Sequence, residues 1–285
     1  MKNRTWFFLM MLIAAFTPSC AIKKEKNFSD TYSTEGYKLV WSDEFDQDGM
    51  PNPANWDYEK GFVRNEELQW YQPQNAFCKD GMLIIEARKE EKPNPLYVEG
   101  SSDWRKKAKN IEYTSACLIS RGLQSWQYGR FEMRGKIDIS DGLWPAFWTL
   151  GLKGRWPANG EIDIMEYYKG KLLANIASLG VNKKPKWFSN TKAVSELGGE
   201  KWAAAFHIWR MDWDSEAISL FVDGMLLNKT LLSDLKNDDG SDFHPFKQPH
   251  YILFDLAMGG MNGGALNDTK FPNRMEVDYV RVYQK

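Results

Sequence analysis

Acidic and apolar residues alternate in the segment Glu161-Ile162-Asp163-Ile164-Met165-Glu166. In a β-strand, residues two positions apart face the same side, so Glu161 and Asp163 share one face while Ile162 and Ile164 face the core. Strict alternation would place Met165, and not Glu166, on the acidic face. A β-bulge that accommodates one extra residue returns Glu166 to that face. The segment therefore predicts a bulged strand that carries three carboxylates on one face.

Such a cluster has the composition of a site for acid–base chemistry on sugars. A retaining glycosidase requires two carboxyl groups about 5–5.5 Å apart. Three neighbouring carboxylates cannot all ionise cheaply, so one of them should carry a raised pKa and serve as the acid. The alternative is an edge strand with a solvated acidic face. The surrounding aromatic residues favour the site: Trp144, Trp148 and Trp156.

The remainder of the chain, from Tyr37 onward, consists of short alternating or apolar segments separated by Gly, Pro, Asn and Asp. Examples are residues 82–87, 129–134, 218–222, 251–256 and 275–282. No long amphipathic helix is visible, although residues 201–206 and 231–236 suit short helical turns. Residues 92–110 and 181–201 have the composition of longer loops. Many short strands without βαβ alternation predict one antiparallel all-β domain over residues 37–285.

Composition excludes several function classes. The chain has 285 residues, 43% of them hydrophobic and 26% charged, which is enough apolar material for a sizeable core. The net charge of −1 provides no basic field for nucleic acid. Thirteen Trp and twelve Tyr are more than a core needs, so we expect some of them on a binding surface. For any single Trp, a place in the core is an equal alternative.

The N-terminus has the pattern of a targeting segment. Lys2 and Arg4 precede an apolar run over residues 6–16, which is too short to span a bilayer and is followed by Ser19-Cys20. We therefore expect a lipoprotein signal peptide over 1–19, lipidation of Cys20 and a flexible tether over 20–36. An ordinary signal peptide is the alternative. Lipidation predicts a cell-envelope protein anchored to the outer membrane, with the orientation left open.

The cysteines and histidines give weaker indications. Cys78 and Cys117 could form a disulfide or remain as buried thiols. His207, His244 and His250 lack the spacing of a zinc site, and no nucleophilic Ser or Cys motif is present. The residues therefore predict that no cofactor is required.

The acidic segment resembles the signature of glycoside hydrolase family 16 in its bulge-containing, laminarinase-type form. Further segments match the family in the same order: 41–45, 64–71, 113–116, 128–132, 142–148, 222–224, 257–260 and 277–283. The resemblance covers residues 37–285. It implies a jelly-roll sandwich of two curved antiparallel sheets with a concave substrate groove, here as a monomeric catalytic domain.

The resemblance also implies roles for individual residues. Glu161 matches the nucleophile, Asp163 the assisting carboxylate and Glu166 the general acid/base. The residues that match substrate contacts are Trp144, Trp148, Trp156, Arg64, Asn65 and Glu66. Many members bind a structural Ca²⁺, and oxygen ligands suit that ion. The matching positions here are Glu44, Gly81 and Asp278.

Two departures concern segments expected to reach the groove. Asp255 stands where the family usually has Asn, and the strand over 175–180 lacks a His that many laminarinases carry. The implied activity is retaining endo-hydrolysis of a β-glucan, with mixed-linkage β-1,3-1,4-glucan as first choice and β-1,3-glucan as second. The alternatives are a galactan-active relative of the agarase or porphyranase type, a non-catalytic glycan-binding protein and a transglycosylase.

Overall fold

The computed structural model describes residues 36–285. The predicted signal peptide over 1–19, Cys20 and most of the tether over 20–36 lie outside the described residues and stay predictions. Within residues 36–285, no helix is both long and apolar enough to cross a membrane.

The described chain is built mainly from β-strands. They are β1 (Lys38–Asp43), β2 (Asp57–Tyr58), β3 (Gln69–Tyr71), β4 (Ala76–Lys79), β5 (Met82–Pro93), β6 (Asn110–Ser115), β7 (Cys117–Ile119), β8 (Gly129–Lys136), β9 (Leu143–Gly151), β10 (Glu161–Tyr168), β11 (Lys171–Leu179), β12 (Pro185–Ala193), β13 (His207–Trp213), β14 (Ala217–Val222), β15 (Met225–Leu231), β16 (His250–Met258) and β17 (Asn273–Gln284). The short helices are α1 (Trp104–Lys107), α2 (Glu200–Ala203) and α3 (Gly260–Gly263). Single 3₁₀ turns occur at Pro73–Asn75, Val181–Lys183, Val194–Glu196 and Leu232–Asp234.

These strands form two sheets, as predicted for an all-β sandwich. The larger sheet has ten strands with the path β15-β14-β13-β8-β17-β5-β6-β3, with β1 added beside β17 and β4 beside β5. The smaller has seven strands in the order β12-β11-β10-β9-β16-β7-β2. Pairing is antiparallel except between β3 and β6.

The core lies between the two sheets and takes buried apolar side chains from both of them. On the seven-stranded sheet, Phe147 of β9 and Phe254 of β16 stack with ring centroids 4.8 Å apart. Phe131 and Met133 of β8 belong to the same buried cluster from the opposite sheet. Burying such a side chain stabilises the fold by about 1.5–3 kcal/mol. The two inner faces thereby fix which side chains of each strand point outward.

The predicted bulge in β10 is confirmed. The pairing of β10 with β9 shifts register between Asp163 and Met165. As a result, Ile164 and Met165 both belong to the buried core, although they are adjacent in sequence. Glu166 is thereby returned to the outer face of the sheet.

The predicted loop over 181–201 is partly wrong, because it contains the edge strand β12. Most of its side chains are exposed or half-buried, so apolar alternation gives no signal of a strand there. Its backbone pairs with β11 through nine consecutive positions. The short helical turns predicted near 201–206 and 231–236 are found as α2 and the turn at Leu232–Asp234. Both described cysteines, Cys78 and Cys117, are buried and free.

The outer face of the ten-stranded sheet carries a set of acid–arginine pairs, which we call the ion-pair face. Its best-aligned pair joins the Arg130 guanidinium to both carboxylate oxygens of Asp212, at 2.7 and 2.9 Å. The other pairs are Glu44 with Arg281, Asp278 with Arg134, and Glu86 with Arg88 and Arg274. This face is built for stability, since each of these carboxylates is neutralised by a neighbour.

Candidate active site

A cleft of about 480 Å³ opens on the outer face of the seven-stranded sheet. It crosses the strands and does not run along one of them, since its walls come from β9, β10, β12 and β16. The residues that line it are Val63, Arg64, Asn65, Glu67, Trp144, Ala146, Trp148, Leu150, Trp156, Glu161, Asp163, Glu166, Trp187, Asp255 and Asn262. An open cleft that crosses a sheet suits a long polymer.

The three carboxylates of β10 all line this cleft. Glu161 lies opposite Leu150 of β9, Asp163 opposite Trp148 and Glu166 opposite Ala146. The structure therefore brings together the three residues that the sequence placed on one face. Their roles in catalysis are a proposal, taken up below.

Neutral donors hold Glu166. One carboxylate oxygen accepts a hydrogen bond of 2.7 Å from the Trp144 indole, and the other accepts one of 2.9 Å from the Asn175 amide. Asn175 lies on β11, directly opposite Asp163. No motif in the sequence singles out Asn175 as a site residue. Asn175 lies on a buried strand, two residues from Ala177, and faces the carboxylates. Knowledge that β11 pairs with β10 would have been needed to predict this contact.

Glu161 is held by Trp156, whose indole donates a hydrogen bond of 2.5 Å to the carboxylate. Trp156 lies in the connection between β9 and β10 and is 49% exposed. The predicted contact residue therefore lies at the cleft edge and touches a carboxylate directly. It leaves much of its ring surface open for a sugar.

The surroundings of the three carboxyl groups raise their pKa values and so favour their protonated forms. Burial raises the pKa of Glu166 to about 8, assisted by the charges of Glu161 and Asp255 and opposed by the Trp144 hydrogen bond. Burial also raises the pKa of Glu161 to about 7, opposed by the Trp156 hydrogen bond and the charge of Arg64. Burial and the two flanking glutamates raise the pKa of Asp163 well above its usual range. Near neutral pH the cluster can thus hold a proton on one carboxyl group and a charge on another.

One side of the cleft, beyond β9, is polar. We call it the polar arm and define it by Arg64, Asn65, Glu67, Trp148 and Asp255. The guanidinium carbon of Arg64 lies 5.1 Å from the centre of a Trp148 ring. The Trp148 indole in turn donates a 2.6 Å hydrogen bond to Asp255. Of the predicted contacts, Arg64, Asn65 and Trp148 therefore lie together in this arm.

Glu66 lies elsewhere. Its side chain is exposed and does not line the cleft, whereas the neighbouring Glu67 is buried and does. The reason is local: Asn65 and Glu66 both adopt left-handed backbone conformations, with φ of 55° and 53°. That turn rotates Glu67 toward the sheet. The alternation of Glu67, Gln69 and Tyr71 in the sequence could have indicated that Glu67, and not Glu66, faces the sheet.

The other side of the cleft is aromatic. We call it the aromatic arm and define it by Trp156 and Trp187. Trp187 is 43% exposed and lies on β12, opposite Ala177, which is itself opposite Glu161. Strands lie about 4.8 Å apart, so Trp187 stands about 10 Å from Glu161 across the sheet. The sequence missed Trp187 because its strand was predicted to be a loop.

The predicted calcium ligands belong to the ion-pair face. Arg281 pairs with both oxygens of Glu44 at 2.8 and 2.9 Å, and Arg134 pairs with Asp278 at 2.8 Å. Gly81 lies in the tight turn between β4 and β5, with φ of 73°. Within residues 36–285, no group of three His, Cys, Asp or Glu side chains is arranged to hold a metal ion. Glu44 and Asp278 are paired with arginines, and calcium binding at the three positions remains a prediction.

Paired carboxylates in an open cleft on an antiparallel sandwich are typical of the glycoside hydrolase class. The particular family follows from comparison with known proteins. The model of glycosyl hydrolases family 16 matches residues 64–281, and the chain belongs to this family.

Relatives match most or all of the chain. A beta-glucanase from Rhodothermus marinus is 36% identical, over 100% of this chain and 95% of the relative. The laminarinase catalytic domain from Thermotoga maritima MSB8 superposes with a TM-score of 0.72 at 31% identity, covering 87% of this chain and 98% of that one. A structure from work on endo-acting O-glycanases, which human gut bacteria express to initiate mucin breakdown, gives 0.78 at 32% identity, covering 87% and 91%.

Proposed function

We propose that the protein is a retaining endo-hydrolase of β-glucan, acting on mixed-linkage β-1,3-1,4-glucan or β-1,3-glucan. The observation that carries this proposal is the placement of Glu161 and Glu166 on one face of β10, inside a cleft open to a polymer. The beta-glucanase and laminarinase relatives support the substrate class. The open cleft supports cleavage in the interior of the polysaccharide chain, because the residues that line the two arms do not close either of them.

In the proposed reaction, the Glu161 carboxylate attacks the anomeric carbon while protonated Glu166 gives its proton to the leaving oxygen. The glycosidic bond breaks and an ester to Glu161 forms. In the second step, Glu166 takes a proton from water, the water oxygen bonds to the anomeric carbon and the ester breaks. Two inversions at one carbon retain its configuration.

The other groups set the charge at each step. Asp163 lies between the two glutamates. In either of its protonation states it keeps the pKa values of the two glutamates unequal. The Trp144 indole and the Asn175 amide orient Glu166 without neutralising it. The Trp156 indole orients Glu161 and stabilises its charged form. A cationic partner in place of these donors would hold the acid ionised and prevent proton donation.

A second candidate is endo-hydrolysis of a galactose-containing host or algal glycan. The O-glycanase structure has a higher TM-score than the Thermotoga laminarinase, 0.78 against 0.72. The polar arm also departs from the family at Asp255. Both candidates use the same carboxylates, so the difference lies in sugar recognition alone. A non-catalytic glycan-binding role has less support, because binding does not need three crowded carboxylates.

We further propose that lipidated Cys20 anchors the enzyme to the outer membrane, where the tether lets the catalytic domain reach a polymer. Incorporation of a labelled fatty acid should occur in the full chain and disappear in Cys20→Ala. Labelling that persists in Cys20→Ala would contradict the anchor. Monomeric behaviour and the absence of nucleic-acid binding remain predictions.

The substrate is tested by incubating residues 20–285 with barley-type glucan, laminarin, agarose, keratan sulfate and mucin. We expect short gluco-oligosaccharides from one or both glucans, and none from the Glu161→Ala control. Products from mucin or keratan sulfate alone would replace the first candidate with the second. Binding without products from any polymer would overturn both.

A further inference from the structure

Two buried carboxylates of the polar arm are not used by the proposed reaction. Asp255 and Glu67 are 4% and 3% exposed, and both contact the hydroxyl of Tyr71. The Tyr71 oxygen lies 3.1 Å from Asp255 Oδ2 and 3.3 Å from Glu67 Oε2. A tyrosine hydroxyl has one hydrogen, so it can donate to only one of two carboxylates. Both contacts are hydrogen bonds only if the carboxyl pair holds a proton of its own.

The other hydrogen bonds indicate which carboxyl group holds that proton. Glu67 accepts from the Gln69 amide at 2.7 Å and from the Asn65 amide at 3.1 Å, which favours its charged form. Apart from its contact with Tyr71, Asp255 accepts one side-chain hydrogen bond within residues 36–285, from the Trp148 indole at 2.6 Å and on Oδ1. The proton therefore belongs on Asp255 Oδ2. It donates to Tyr71, and Tyr71 donates to Glu67.

The charges around Asp255 agree with this assignment. Its titratable neighbours are Arg64, Glu59, Glu67, Glu166, Tyr71 and Cys117. Arg64 is the single cation among them, and its guanidinium also pairs with Glu59. One positive charge cannot neutralise so many carboxylates in a buried place. Burial and the charge of Glu67 raise the pKa of Asp255 to about 7, against the effect of Arg64.

We propose that Asp255 is a protonated, neutral positioning residue that fixes Trp148 and Tyr71 in the polar arm, and that its ionisation weakens binding of the sugar chain. The proposal rests on the proposed function only in taking a sugar chain as the ligand. Trp148 is the aromatic wall of the arm and lies under Arg64, so movement of its indole changes both surfaces offered to a sugar.

The family resemblance gives this proposal a natural test. Asn usually occupies position 255, and a protonated aspartate offers the same groups as a neutral amide: one acceptor for Trp148 and one donor for Tyr71. When Asp255 ionises, the donor is lost and two anions compete for one Tyr71 hydrogen. Asp255→Asn keeps both hydrogen bonds and removes the titration.

The first measurement is the affinity for an oligosaccharide product between pH 5.5 and 9, in a Glu161→Gln background that prevents turnover. Affinity should fall by up to about tenfold per pH unit above pH 7 when Asp255 is present, because the protonated fraction falls at that rate. The fall should be smaller at every pH when Asn replaces Asp255, since position 255 then has no proton to lose and only the carboxyl groups of β10 still titrate in the cleft. Asp212→Asn, on the ion-pair face, is the matched control and should keep the original dependence. The same pH dependence in Asp255→Asn as in its parent would overturn the proposal.

The second measurement needs no ligand and therefore stands apart from the substrate assignment. Infrared difference spectra of the otherwise unchanged protein should show a protonated carboxyl band at pH 6 that Asp255→Asn removes. The band should disappear with an apparent pKa near 7 as the pH rises. A spectrum in which Asp255→Asn removes only an ionised carboxylate band at pH 6 would contradict the proposal, even if the enzyme hydrolyses glucan as expected.

Discussion

On the outer face of the ten-stranded sheet, Glu86 lies against two arginines, whereas on the outer face of the seven-stranded sheet Glu166 lies against an indole and an amide. Burial opposes the charge of Glu86, but hydrogen bonds from Arg88 and Arg274 outweigh it and hold its pKa below the usual range. Glu166 is also buried, yet its donors are the neutral Trp144 and Asn175, and its pKa rises to about 8.

The difference shows how one fold assigns two roles to the same residue type. An arginine supplies a full opposite charge, so the acid beside it stays ionised and contributes to stability. An indole N–H supplies only a dipole, which orients a carboxyl group and leaves it free to exchange a proton. In this protein, arginine partners hold the pKa of Glu86 down, whereas burial with neutral partners leaves the pKa of Glu166 raised.

Removing the proposed nucleophile should have the largest effect. Glu161→Ala should reduce hydrolysis to background while the thermal unfolding midpoint stays close to that of the parent, because the side chain faces the cleft and not the core. Rates are measured by release of reducing ends. Formate, which can occupy the space of the missing carboxylate, should restore some activity. Substantial hydrolysis by Glu161→Ala without formate would refute the assignment.

The dependence of kcat/KM on pH should be a narrow bell. Glu161 must be ionised to attack, so activity should fall as the pH drops through about 7. Glu166 must be protonated to donate, so activity should fall as the pH rises through about 8. Trp144→Phe removes a hydrogen bond that lowers the pKa of Glu166, and should shift the alkaline limb to higher pH. An alkaline limb that stays in place or moves down would show that this indole does not tune the acid.

The aromatic arm should affect binding more than chemistry. Trp187→Ala removes a stacking surface about two strands from Glu161, and should raise KM about tenfold with a small change in kcat. The measurement compares a long glucan with a short oligosaccharide, which should lose less because it need not reach β12. Trp202→Ala is not a suitable control because Trp202 packs against the core. Leu226→Ala serves as the control, since it changes an exposed apolar residue that does not line the cleft. Equal losses for long and short substrates would argue against a sugar site at Trp187.

The smallest effect is expected on the ion-pair face. Glu86→Gln should lower the free energy of unfolding by about 1 kcal/mol at neutral pH, a modest value because Arg274 is partly exposed to solvent. Since the folded-state pKa of Glu86 is depressed, this contribution is present above the unfolded pKa of about 4.3 and is lost as the pH falls through the folded value. Denaturant unfolding at pH 7 and pH 3 measures it, with kcat at pH 7 unchanged. A difference that persists at pH 3 would point to packing instead of charge.

Most of what the sequence could predict about the fold and the site follows from the alternation of side chains along a β-strand. It placed Glu161, Asp163 and Glu166 on one face and required the bulge that the register shift confirms. It failed at β12, where the strand is exposed and has no apolar alternation to detect. Turns were a second weakness: the left-handed pair Asn65 and Glu66 decides that Glu67, and not Glu66, enters the cleft.

Long-range contacts were beyond the sequence for a different reason. Tyr71 and Asp255 are 184 residues apart in the chain and meet only because two sheets and a loop converge on the polar arm. The local sequence pattern around either residue does not indicate this contact. The sequence did flag Asp255 as a departure from the family, and the structure supplies the partners that give the departure a physical meaning.

In the proposed reaction, Glu161 forms the covalent bond to the sugar. A slow fluorinated glycoside with a good leaving group should trap that ester, and peptide mapping by mass spectrometry should locate it. We predict one glycosyl group per protein, attached to Glu161. A label on Asp163 or Glu166, or complete turnover with inverted configuration and no label, would contradict the account.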